Sequence, residues 1–114
     1  MTYVEFFERH SVENLCACLT HCPDRVIILG DNRKKIEKQA ERYRKIFEGR
    51  GQSVEFICRS VNRNSINAIV EVLSDIIKTF RKHKETVFIL IDLMYFFGYL
   101  KHKDAILYPL RIII

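Results

Sequence analysis

The sequence lacks the glycine fingerprint of a dinucleotide site. Its one Gly-led strand exit, Gly30-Asp31-Asn32-Arg33, offers a single glycine where that fingerprint needs three, and no P-loop occurs. Those gaps argue against a Rossmann dehydrogenase and a P-loop nucleotidase. Also missing is an apolar run long enough to cross a bilayer. The longest, residues 87–100, has 14 positions interrupted by Asp92, against the ~18–20 that a membrane helix needs. The amino terminus alternates and carries Glu5, Glu8 and Arg9 in place of the apolar segment of a signal peptide. A soluble, cytoplasmic protein is therefore expected, with no membrane partner. In that compartment the four cysteines are expected to be thiols and not a disulfide framework. Low-complexity tracts and internal repeats are absent as well.

What is present suits one globular domain. The chain has 114 residues, of which 48% are hydrophobic, enough for a core that buries about two-thirds of the unfolded surface. A formal net charge of +5 favours anionic partners. Much of that excess lies on one segment beginning at Arg33, where acids are interleaved, and this reads first as a solvated helix face.

The pattern of apolar residues alternates between strand and helix along the whole chain. Residues 2–7 place Val4 and Phe6 on one face and Tyr3, Glu5 and Phe7 on the other. Ser11 can cap a short helix to residue 20, in which Val12, Leu15 and Leu19 share a stripe. Residues 25–29 form a continuous apolar strand of the kind buried on both faces of a parallel sheet. Asp31 or Asn32 caps the next helix, whose Ile36, Ala40, Tyr43 and Phe47 line one side, and Gly49 and Gly51 end it. Residues 53–61 alternate as an edge strand does. A long helix follows from Asn64 or Ser65 to about residue 82, with Ile66, Ile69, Val70, Leu73, Ile77 and Phe80 at helical spacing. Residues 86–91 read as another buried strand and 105–114 as a last one, with Pro109 at an edge or bulge.

Parallel strands need such crossovers, and the crossovers are nearly always right-handed. The expected fold is α/β: a three-layer Rossmann-like sandwich on a mainly parallel sheet of about five strands, in the order 3-2-1-4-5. Glu5 in a central strand is the tension in that arrangement.

In an open parallel sheet, ligands bind beyond the carboxyl ends of the strands. The segments arriving there are Glu8-Arg9-His10-Ser11, Gly30-Asp31-Asn32 and residues 59–64, together with whatever follows Ile91. Arginine forks, serine and asparagine suit phosphate, ribose and base edges. Ser11, Asn32 and Asn64 are equally read as helix caps, which is the commoner role. Arg9 and Arg63 are harder to explain as caps and are the best ligand candidates.

The residues bear on two other chemistries. In the stretch Cys16-Ala17-Cys18-Leu19-Thr20-His21-Cys22, Cys18 and Cys22 are one helical turn apart with His21 beside them. A structural zinc needs four converging ligands, and only Cys58 could complete the set, so ordinary thiols are expected and no metal or cofactor. Asp31 or Asp92 as a phosphoacceptor would need paired acids after the first strand, where the chain has Glu8, Arg9 and His10.

The run from Val4 to Ile77 resembles the amino-terminal, CARF-like (CRISPR-associated Rossmann fold) domain of a bacterial family that also carries a restriction-endonuclease-like nuclease. The likeness rests on Glu5-Phe6-Phe7, Ser11-x-Glu13-Asn14, the strand end Leu29-Gly30-Asp31, "RYRKIFEGRG" from Arg42, and "RSVNRN" from Arg59. It implies a homodimer that binds a cyclic oligoadenylate, or another adenine nucleotide, over the ends of strands one and four. By position that involves His10, Ser11 and Asn14 after strand one and Asp92 after strand four. Where the family has a polar, glycine-bearing turn after strand four, this chain continues Leu93-Met94-Tyr95-Phe96-Phe97-Gly98-Tyr99-Leu100. The nuclease half is missing from the sequence, and the chain ends on Arg111-Ile112-Ile113-Ile114, so a truncated or frame-shifted remnant is expected, or a tail covered by a second copy. Direct nucleic-acid binding is not expected without the nuclease part. The alternatives to nucleotide sensing are a protein-interaction or dimerisation domain and a remnant without ligand. A weak ring nuclease using His10 or Ser11 is the enzymatic reading entertained, and it needs an activated hydroxyl and an oriented base.

Overall fold

A computed structural model describes residues 1–8, 12–81, 87–92 and 109–113. Its elements in chain order are β1 (Thr2–Phe6), α1 (Val12–His21), β2 (Arg25–Gly30), α2 (Arg33–Gly49), β3 (Glu55–Ser60), α3 (Ile66–Arg81), β4 (Val87–Asp92) and β5 (Pro109–Ile113). They form a sheet of order β3-β2-β1-β4-β5. The pairings β3–β2, β2–β1 and β1–β4 are parallel, and β5 runs antiparallel to β4. This is the expected order. Pro109, which has no amide to donate, is the first residue of the outermost strand.

Helices cover both faces of the parallel core, which makes the arrangement three-layered and Rossmann-like. On one face Tyr3, Val26 and Ile28 pack with Cys18 of α1 and with Ile36, Ala40, Tyr43 and Phe47 of α2. On the other, Val4, Phe6, Ile27, Leu29, Val87 and Ile89 pack with Ile69 and Ile76 of α3. The strand period of two sends neighbours to opposite faces, so a strand covered on both sides must be apolar throughout. That is why β2 reads Val-Ile-Ile-Leu without a polar break. Each large side chain so buried contributes on the order of 1.5–3 kcal/mol before entropy is subtracted.

Two local expectations are revised and one open choice is decided. The buried stripe of α3 is centred on Ile69 and Ile76, whereas Ile66 and Val70 are 66% and 56% exposed. At ~100° per residue Val70 lies a quarter-turn past Ile69, and the sheet claims only the first of the two. In α2, Gly49 remains helical and Arg50 forms the carboxyl-terminal cap, while Gly51 alone takes the left-handed backbone, at φ +72°. Between Asn64 and Ser65, Ser65 is the cap of α3: its Oγ accepts from the Ala68 amide at 3.2 Å.

Glu5 does stand in the central strand. It is fully buried on the α2 face, and Gln39 Nε2 donates to its Oε1 at 3.1 Å. Burial raises its pKa to about 7, against the lowering effect of hydrogen bonds from Tyr43 and Gln39.

Candidate functional site

The carboxyl ends of β1 and β2 are held by backbone bonds that continue beyond the strands. Phe7 N donates to Leu29 O at 2.7 Å, and Val61 N donates to Gly30 O at 2.8 Å. Gly30 is where α2 begins to close on the sheet: a Cβ there would lie 3.1 Å from Ile36 Cγ1 and 3.1 Å from Phe7 Cβ. An added methyl would fit only if Ile36 or Phe7 gave way by a few tenths of an ångström.

Two of the sequence candidates meet at the end of β1. Asn14, 8% exposed on α1, donates from Nδ2 to Phe6 O at 3.3 Å. Arg63 arrives from the turn between β3 and α3, is also 8% exposed, and donates from Nη1 to Phe7 O. Its guanidinium sits 5.8 Å from the centroid of the Phe6 ring, a cation–π distance. Arg63 is thus built into the edge and does not project from it as a surface arginine would.

The other candidates are placed differently. Asn32 is the cap of α2, its Oδ1 accepting from Lys35 N at 3.3 Å, and Asp31 beside it is exposed. Asp92 closes β4, in register with Pro109. Arg9, His10 and Ser11 lie outside the described residues, as does the apolar stretch that follows Asp92. Nearby cations engage acids: Arg33 pairs with Glu37 at 3.2 Å and Arg59 with Asp75 at 2.6 Å. Among the described residues, no group of three or more His, Cys, Asp or Glu side chains gathers as a metal site. Cys18 is buried, which raises its thiol pKa, and Cys16 and Cys22 are exposed free thiols.

A cavity of about 310 Å³ lies at the other end of the sheet, where Arg44, Glu48, Gln52 and Phe56 are among its lining residues. It is formed by the carboxyl end of α2 and the entry to β3, away from the strand end where Asn14 and Arg63 meet.

Sequence reasoning overlooked Gln39. Its signal was available: it falls on the α2 stripe between Ile36 and Tyr43, where a polar residue needs a polar partner once buried. Glu5, a carboxyl at a core position of the central strand, is that partner.

No protein-family model matches the sequence, and no curated protein does. Among solved structures, this chain is similar to Can2 from Sulfobacillus thermosulfidooxidans in complex with cyclic tetra-adenylate. The two superpose with a TM-score of 0.58 at 25% identity, over 70% of this chain and 22% of the other. The fold is CARF-like. The chain therefore spans about a fifth of the length of that structure. Among the described residues no helix is long and apolar enough to cross a membrane.

Proposed function

We propose that this CARF-like chain is a nucleotide-sensing module that binds a cyclic oligoadenylate, as a homodimer, over the carboxyl ends of β1 and β4. The observation that carries the reading is the likeness to a structure that holds cyclic tetra-adenylate, supported by the polar and cationic residues that follow the strands in the sequence. Arg9, His10, Ser11 and Asn14 follow β1, Asp31 and Asn32 follow β2, Arg63 follows β3, and Asp92 ends β4. A cyclic phosphodiester asks for this chemistry: guanidinium and imidazole for its phosphates, hydroxyl and amide groups for ribose and base edges. The protein is cytoplasmic in this reading.

Thermal denaturation with cyclic tetra-adenylate and cyclic hexa-adenylate tests it. A ligand present at 100 times its dissociation constant stabilises the fold by about 2.7 kcal/mol, which raises the midpoint by several degrees. No shift with either ligand at saturating concentration would discard nucleotide sensing. It would favour a protein-interaction domain, the reading supported by the exposure of Ile66 and Val70 one turn apart on α3.

A further inference from the structure

Seven residues of α2 are cationic and three are acidic, a surplus of four in a chain whose formal net charge is +5. The two signs are sorted by face. At ~100° per residue, Lys34, Lys35, Lys38, Arg42 and Lys45 share an arc opposite the buried stripe of Ile36, Gln39, Ala40, Tyr43 and Phe47. Glu37, Glu41 and Glu48 stand together along one flank. There Arg33 pairs with Glu37 at 3.2 Å and Arg44 pairs with Glu41. The five cations of the arc are all exposed. Among the described residues none of the five is in an ion pair.

Solvation alone does not favour such a face. Lys34 and Lys38, and again Lys38 and Arg42, are like charges four residues apart, a spacing that destabilises a helix. The first turn holds Arg33, Lys34 and Lys35 and no acid, although the amino end of a helix dipole is positive and favours anions. A polyanion laid on the face relieves both costs.

We infer that the outer face of α2 is a docking surface for the phosphate backbone of a nucleic-acid duplex, held through Lys34, Lys35, Lys38, Arg42 and Lys45. The surface is independent of the cyclic-nucleotide reading, and the family resemblance does not imply it. Its length fits. From Lys34 to Lys45 the helix axis runs roughly 16 Å, a distance over which one strand of a duplex carries about five phosphates. Single strands fit less well, because they are held on exposed aromatic rings, and the two aromatic residues of α2, Tyr43 and Phe47, are buried. A bilayer surface is also a poorer match. The apolar stripe that a surface-bound helix sinks into lipid is here seated on the sheet.

Fluorescence anisotropy of labelled DNA and RNA duplexes, titrated with the purified chain at several salt concentrations, tests the surface. Saturable binding to either duplex is expected. Four or five phosphate contacts give a slope of log affinity against log salt of about −4 on B-DNA, a loss of roughly two orders of magnitude between 50 and 200 mM salt. Lys38→Gln and Arg42→Gln should each weaken binding and each reduce the steepness of that slope by about one. Both variants should melt no lower than the unmodified protein, since each removes a like-charged neighbour. Lys78→Gln removes the same charge from an exposed position on α3 and should leave the slope as it was. Three results would overturn the assignment. One is the absence of saturable duplex binding at 50 mM salt by a protein shown to be folded. Another is an equal loss in Lys78→Gln and Lys38→Gln, which would reduce the effect to net charge. The third is tighter binding to a single strand of the same sequence, or to vesicles of equal parts phosphatidylcholine and phosphatidylserine, than to either duplex.

Discussion

Replacing Glu5 by glutamine should flatten the pH dependence of folding stability on the acid side of neutrality. Glu5 is fully buried between the sheet and α2. Burial is the largest influence on its carboxyl, followed by the opposing hydrogen bonds from Tyr43 and Gln39 and by the nearby charge of Glu8. Together they raise the pKa from the ordinary 4.5 to about 7. A carboxyl whose pKa is higher in the folded than in the unfolded state binds its proton more tightly when folded. Its contribution is therefore full below about pH 4.5 and is lost as pH rises towards 7. A tenfold change in proton affinity is worth about 1.4 kcal/mol, so the loss across that window amounts to about 3 kcal/mol. Glutamine keeps the shape and the acceptor for Gln39 and cannot ionise. Urea denaturation followed by circular dichroism, from pH 4.5 to 8, should show the unmodified protein losing stability relative to Glu5→Gln by about that amount. Curves for the two proteins that stay parallel over the whole range would refute the reasoning, because any other titrating group is common to both.

Two further outcomes follow from the packing. Phe47→Ala removes a side chain that is 1% exposed and stands 6.1 Å from the Phe56 ring centroid, and should cost about 3–5 kcal/mol in urea denaturation; a loss under about 1 kcal/mol would mean that α2 is not seated as described. Gly30→Ala should cost about 1–3 kcal/mol, since the added methyl meets Ile36 and Phe7 at 3.1 Å, whereas Gly49→Ala, with nothing within 4 Å, should be neutral or gain up to about 1 kcal/mol from helix propensity. Equal effects at the two glycines would contradict the close approach at Gly30.

Much of this fold was legible in the sequence because its signals are periodic. The unbroken apolar run of β2 announced a strand covered on both faces, and Ile36, Ala40, Tyr43 and Phe47 announced the buried side of α2. The strand order followed from which runs were most apolar and which alternated. Periodicity is weaker at the ends of stripes. Ile66 and Val70 fit helical spacing, yet the sheet beneath α3 is met by Ile69 and Ile76, and spacing alone does not say where the stripe is centred. Weakest of all is reach. Nothing local in the sequence tells that Arg63 will extend to the carbonyl of Phe7, or that Gln39 will find Glu5, because both bonds join segments separated by more than 30 residues. Topology accordingly puts Asn14 and Arg63 at the carboxyl edge of the sheet, while the bonds they make there to Phe6 and Phe7 had no local signal.

The most direct measurement is a calorimetric titration of cyclic tetra-adenylate into the purified chain, with the oligomer's mass determined in parallel. Saturable binding of one cyclic ligand per two chains, weakening as salt is added, is the expected result. The absence of any saturable heat from a protein shown to be folded would contradict the account.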